Sequence, residues 1–255
     1  TTTTSTGAHQ DRASSLTNIA TATQQVQDDK WAESRALASS RLVITREISA
    51  TGMEWIDVKA HPTAALDDYR NAIAAFLLDL GVHETIIEST MEAVLLPQTV
   101  ITDECVTLIV RCAVEGTTHE MDSIQELTNR LTVFFFAGKV VTVHRTHMPM
   151  FSSLRKHWRT HHRDATPAYM LNLLVKDCSR TFHTALAGSI VVFDKYESML
   201  FAPQRQRGTL AREIYHIKRR ASVYSRILAQ TSDAYHVAVD AMKLSRFDAY
   251  AQDVE

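Results

Sequence analysis

From Leu210 onward the apolar positions step alternately by four and three: Leu210, Ile214, Ile217, Ala221, Tyr224, Leu228, Thr231, Tyr235, Ala238 and Met242. That is a heptad seam, thinned at Ala221, Thr231 and Ala238, and it predicts one long helix with a continuous contact stripe. Gly208 is the final helix breaker, because neither glycine nor proline follows it. At 1.5 Å per residue the rod from Thr209 to Glu255 would run about 70 Å, longer than a compact domain needs. The chain also opens on a threonine tract in place of Met. It is therefore expected to be a fragment whose long helix continues into a region beyond Glu255.

Upstream, the pattern changes several times. Residues 1–39 are rich in Thr, Ser, Gln and Ala with few large apolar side chains, so little packed structure is expected there. RLVITREI from Arg41 and MEWIDV from Met53 read as strands, dense in β-branched and aromatic residues. Pro62 and Thr63 then open a helix through Leu80, closed by Gly81, with Leu66, Tyr69, Ile73, Phe76 and Leu77 on one face. A short helix from His83 to about Leu95 ends before Pro97. CVTLIVRCAV and, after a polar turn, IQEL read as further strands. LTVFFFAGKVVTVHR reads as a hairpin turning at Ala137 and Gly138. Its apolar residues are continuous, which suits a central sheet covered on both faces.

Helices then take over. Pro149 leads into FSSLRKHWRTHHR, and Thr166 and Pro167 supply an N-cap and first helical residue for a helix to about Leu200. Pro203 and Gly208 make the corner before the rod. The order predicts an α/β layered domain over 40–165 with a mixed central sheet, then two long helices over 166–255, the second a stalk.

Composition narrows the function classes. Charged residues make up 22% of the chain and the net charge is −2, so no global field recruits nucleic acid or anionic lipid. Cys105, Cys112 and Cys178 form no CxxC pair, and apolar surroundings point to buried reduced thiols and a reducing, cytosolic compartment. The most apolar run, Leu131 to Val143, is too short to span a bilayer and carries Lys139. Enzyme motifs are missing: there is no GxSxG, Walker A or GxGxxG, and seven glycines leave few places for a phosphate cradle. Asp57 and the Asp67–Asp68 pair could be imagined as metal carboxylates, but Asp67 and Asp68 point to different helix faces.

Two local clusters carry candidate chemistry. Between His144 and Arg163 lie five histidines (His144, His147, His157, His161 and His162) among arginines and lysines, with no acid before Asp164. On a helix His157 and His161 share a face at the spacing of a two-imidazole zinc site, although no HExxH or cysteine pair supplies a third ligand. The plain alternative is a solvated basic face, and a third is an anion surface with Trp158 available for stacking. In the rod, IKRRASVYSR brings Lys218, Arg219, Arg220 and Arg226 together, either as a solvated face or as partners for acids. Glu84, Glu88 and Glu92 recur at i, i+4, i+8 and would suit as those partners.

Across about Arg41 to Glu255 the order of pieces resembles the CorA family of divalent-cation channels and transporters, in the part before the membrane. The matching pieces are WIDV (Trp55 to Val58), LGVHETIIEST (Leu80 to Thr90), VTLIVRCA, FFFAGKVVTVHR, AYMLNLLVKDCSRTF and LAREIYHIKRRASVYSRIL. The resemblance implies an αβα cytoplasmic domain, a stalk leading to membrane helices beyond Glu255, and a homopentamer in the full-length protein. It further implies a domain that does no chemistry, senses divalent cations and biases a pore in the cell membrane. Acidic groups at subunit contacts would repel when the metal is scarce and be bridged when it is abundant. Mg2+ suits such carboxylates, and Zn2+ is the alternative ion.

The resemblance places Glu88 and Asp248 at the regulatory contact. It also shows departures: Ser89 stands where an adjacent acid is common, Gln252 where a histidine is, and Lys176 and Arg180 where magnesium-sensing members can carry acids. A lysine there could hold the cation's place beside Glu88 permanently. The expected function is the regulatory domain of a CorA-like magnesium transporter, with a zinc-transporting branch or a soluble scaffold pairing through the 210 to 242 seam as alternatives. No nucleic-acid partner is expected, and the fragment alone should associate weakly.

Overall fold

The computed structural model describes residues 40–92, 96–117, 121–160, 166–200 and 207–244. Strands β1 (Leu42–Ile48) and β2 (Glu54–Ala60) pair antiparallel. Helices α1 (Leu66–Asp79) and α2 (Glu84–Thr90) follow, then β3 (Gln98–Ile101), β4 (Val106–Ala113) and the single turn α3 (Ile124–Leu127). Strands β5 (Thr128–Phe136) and β6 (Lys139–His144) form the hairpin, and α4 (Met150–Thr160), α5 (Pro167–Leu200) and α6 (Arg207–Leu244) complete the order.

The six strands form one sheet in the order β1-β2-β6-β5-β4-β3, parallel only between β2 and β6. Alternation along each strand assigns side chains to its two faces. Ile56, Val58, Phe134, Val141 and Val143 pack with Tyr69, Ile73 and Leu77 of α1 and Ile86 and Ile87 of α2. On the other face Trp55, Leu108, Val110, Val133 and Phe135 pack with residues of α4, α5 and α6. The layers are therefore αβα around a mixed sheet. Every residue of β4 is buried, as a strand covered on both faces requires.

Local chemistry explains most boundaries. Gly81 at φ 84° lets the Val82 N–H reach the Leu77 carbonyl at 3.0 Å, which closes α1. The Thr166 hydroxyl accepts from the Tyr169 N–H at 3.1 Å and Pro167 opens α5, as the sequence predicts.

Several expectations are corrected and one strand is added; α1 starts at Leu66, later than Pro62 and Thr63. Helix α2 stops at Thr90, short of Leu95, where the Ser89 and Thr90 hydroxyls each donate back to a carbonyl three residues earlier. IQEL is a helical turn, not a strand, held by a capping box between Ser123 and Glu126. QTVI after Pro97 is an edge strand that the pattern left unassigned. Gly208 lies inside the first turn of α6; the donors there lack intrahelical partners in any helix, so glycine is tolerated.

The long-helix seam is also shifted. Beyond Leu210, the buried positions are Arg220, Tyr224, Ile227, Thr231, Ala234, Ala238 and Ala241, again stepping by four and three, with Met242 beside them. They face this chain's own sheet and α5. Phe182 meets Tyr224 edge-on at 5.1 Å, and the Thr99 hydroxyl of β3 donates to the Ala234 carbonyl at 2.6 Å. Ala221 is exposed and Tyr235 lies at the rim, donating to Asn172.

All three cysteines are buried and free. Cys112 and Cys178 bring their sulfurs within 3.1 Å, and Met150 lies 3.5 Å from Cys112. The hydrogen bond with Cys112, together with burial, pushes the Cys178 thiol well above its ordinary pKa. An aromatic disulfide reagent at neutral pH is therefore expected to modify the native thiols at least about tenfold more slowly than free cysteine. Denaturant should release all three. Rapid labelling of native protein would show that the sulfur cluster opens readily.

Candidate functional site

Helix α2 begins where the His83 imidazole accepts from the Thr85 N–H and so caps it. Its buried side, Ile86 and Ile87, seals one face of the sheet, which leaves Glu84 and Glu88 pointing outward and exposed. Glu92 is exposed just beyond the helix. The Ser89 hydroxyl is turned onto the Ile86 carbonyl at 2.9 Å and presents no ligand outward.

The basic helix α4 is anchored more deeply than a solvated face would be. Met150, Phe151, Leu154 and Trp158 are buried, and Trp158 at 1% exposure cannot stack on a nucleotide base, which corrects that expectation. Its cations reach back to the sheet. Arg159 makes a bidentate pair with Glu47 of β1, at 2.8 and 3.0 Å. Arg155 bonds to Asp57 Oδ2.

Asp57 is a hub. It is buried on β2, and its Oδ1 accepts from Thr142 Oγ1 at 2.8 Å and from His144 Nε2 at 3.1 Å. The His144 Nδ1 faces the Thr146 carbonyl at 2.6 Å, and the ring stacks on Phe151 at 4.5 Å. Both ring nitrogens thus face protein oxygens. Trp55 adds its indole N–H to Thr142 at 3.1 Å. Every oxygen of Asp57 is therefore engaged by protein, and the carboxylate ties β2, β6 and α4 together instead of offering itself to an ion.

His157 also differs from its expected setting. Its Nδ1 lies 2.9 Å from the Ser153 carbonyl within the same helix. His161 lies outside the described residues. The structure instead brings His157 near Asp177 of α5: burial raises the Asp177 carboxyl above its usual range, with His157 foremost among the cations that oppose it. Asp177 Oδ2 is buried with no hydrogen-bond partner. Sequence reasoning missed this neighbour because it comes from another helix. Among the described residues no group of three His, Cys, Asp or Glu side chains could hold a metal ion.

In α6 the basic run divides. Arg219 pairs with Asp122 at 2.9 Å, Arg220 turns inward and is buried, and Lys218 and Arg226 stay exposed. No described helix is long and apolar enough to cross a membrane.

No protein-family model matches the chain, and no curated protein matches it in sequence. Solved structures do match in shape. The soluble domain of CorA from Methanocaldococcus jannaschii superposes with a TM-score of 0.54 at 13% identity, covering 79% of this chain and 84% of that one. The fold is that of a CorA soluble domain. The full-length CmaX protein aligns with a TM-score of 0.50 at 13% identity, over 82% of this chain and 71% of its own. The ZntB cytoplasmic domain from Vibrio parahaemolyticus RIMD 2210633 gives 0.47 at 10% identity, over 84% and 99%.

Within this CorA-type fold Glu88 is separated by the sheet from the described parts of α5 and α6. Glu88 sits on the α2 layer, whereas α5 and α6 lie on the opposite face. Lys176 and Arg180 are exposed on α5, and Asp248 lies outside the described residues, beyond Leu244. One chain therefore cannot join α2 to α5 or α6 through a shared ion.

Proposed function

We propose that this chain is the cytoplasmic regulatory domain of a CorA-like divalent-cation transporter, with magnesium as the cargo. The carrying observation is the CorA-type fold, in which an αβα domain feeds a helix of 38 residues along its own sheet. The ordered motifs from WIDV to the rod support the same reading. In it α6 is the stalk, the parent protein sits in the cell membrane through a region beyond Glu255, and five copies surround the pore. Glu88 of one copy faces Asp248 of the next, with Mg2+ as the regulatory ion between them. Lys176 of the neighbour lies where it weakens that dependence. The far part of α5 supports assembly, since Ile190, Val191 and Phe193 are 62%, 70% and 49% exposed.

Zinc as cargo is the second reading, favoured by Asp177 lying near His157. The scaffold reading loses support, because half of the seam expected to join two chains (Leu210, Tyr224, Thr231, Ala238 and Met242) is buried within one.

The test is transport by the full reading frame, reconstituted into liposomes loaded with a magnesium-sensitive dye. An inward magnesium gradient is expected to give uptake well above empty vesicles. Zinc uptake without magnesium uptake would move the chain to the zinc branch. Flux equal to that of empty vesicles for both ions, or a frame lacking two apolar spans of about 20 residues, would overturn the proposal.

A further inference from the structure

On the α1–α2 face of the sheet, Arg130 continues the β5 row of Phe134 and Thr132, and Arg111 is its register partner on β4. Two cations directly opposite on neighbouring strands are unfavourable unless something negative lies between them. Beside them is a cavity of about 360 Å³, lined also by Arg70, Arg145 and Tyr69. Four arginines thus line one space, together with Glu92.

Two of the lining side chains are fixed and deeply buried. Arg111 is 3% exposed and donates to the Thr128 hydroxyl at 2.6 Å and the Thr128 carbonyl at 3.2 Å. Tyr69 is 4% exposed, and burial pushes its hydroxyl up to about 12 against the pull of Arg130 and Arg145. Arg130 donates to the Glu92 carbonyl at 2.6 Å, a neutral acceptor. Among the described residues no carboxylate lies within ion-pair range of Arg130 or Arg145. Arg70 pairs with the highly exposed Asp67 at 3.9 Å and donates to the Met91 carbonyl at 3.4 Å. Burial, and then Arg130 beside it, pull Arg111 down to about 10. Among the described lining residues Glu92 is the one carboxylate against four arginines.

We propose that this cavity is a binding site for a small phosphate-bearing anion carrying at least two phosphoryl groups. Guanidinium forks match phosphate oxygens in pairs, which a single chloride cannot exploit. The volume sits at the lower end of the roughly 300–1,000 Å³ typical of ligand sites, which suits pyrophosphate or the phosphate end of a nucleotide. The inference stands apart from the transport reading and does not depend on it.

Calorimetric titration of this chain in low-salt, metal-free buffer tests it, with pyrophosphate and ATP as the probes. One-to-one binding is expected at a Kd of about 10–100 μM, weakened at least tenfold by Arg145→Gln and by Arg130→Gln. Arg145 lies on the exposed loop after β6, so its variant should keep the native urea midpoint. Tighter binding of ATP than of pyrophosphate would assign the site to nucleotides. Equal or tighter binding of pyrophosphate would assign it to bare polyphosphates. Absence of heat with both probes at millimolar concentration would overturn the proposal. So would binding untouched in the double variant, or competition by equimolar chloride.

Discussion

Asp57→Ala is expected to lower folding stability by about 3 kcal/mol, since removing one member of a buried charged network leaves the others unpaired. Asp57 is 5% exposed, and among the described residues it is the only carboxylate paired with Arg155 or His144. Arg155 keeps about a third of its side-chain surface in water, which places the cost at the lower end of the range. For a chain of this size the melting temperature should fall by about 6–12 °C. Asp57→Asn keeps an oxygen for Thr142 but loses the charge, so about half the effect is expected. Thermal and urea denaturation measure both. Hydrogen exchange should show α4 amides losing protection before those of β4, because Asp57 anchors α4 and not the sheet centre. A loss below about 1 kcal/mol for Asp57→Ala would mean that water replaces the carboxylate at no cost and the hub is incidental.

Parts of this arrangement are written plainly in the chain. The β5–β6 hairpin is legible because its apolar run is unbroken and Ala137 and Gly138 interrupt it once. The start of α5 is legible because threonine before proline satisfies two requirements of a helix start together. Other elements lacked such a signal. Strand β3 has four residues, and only pairing with β4 and packing under α6 make it a strand. The turn α3 does carry a readable mark, Ser123 three residues before Glu126, but it stands among β-rich segments.

The seam of α6 shows a subtler limit. Arg220 and Ala221, Ile227 and Leu228, Ala234 and Tyr235, and Ala241 and Met242 are adjacent pairs, and either member fits a heptad. Apolarity alone favours Ala221, Leu228 and Tyr235. The helix instead lies across β3, β4 and α5, a surface broader than one partner helix, and this turns Ala234 inward and leaves the Tyr235 hydroxyl at the rim. The candidate site was less legible still. WIDV announces one acid within a buried strand, which demands a cation, but the sequence does not say that Arg155 provides it. The approach of Asp177 to His157 depends on how α4 packs against α5, and no spacing within either helix encodes it.

The second large effect is expected at Trp158. Its side chain is 1% exposed, meets Trp55 at 5.8 Å between ring centroids, and closes the cluster that joins α4 to the sheet. Trp158→Ala removes the largest apolar contact of α4 and leaves a cavity that the sheet cannot collapse to fill, at a cost of about 4 kcal/mol. A fall of about 8–16 °C in melting temperature should follow. The phenylalanine variant separates volume from polarity. The Trp158 indole N–H is buried without a hydrogen-bond partner, so it carries a desolvation penalty that Trp158→Phe removes. Trp158→Phe should therefore cost only about 1 kcal/mol, well below the loss of ring volume alone. Equal destabilisation by alanine and phenylalanine would show that the N–H is bonded, by water or by a neighbour, and that this bond and not the ring volume holds α4. Because Arg155 lies one helical turn before Trp158 with only two residues between, the two losses should not add in the Asp57→Ala/Trp158→Ala double variant. Once α4 has left the sheet, the second substitution has little left to remove.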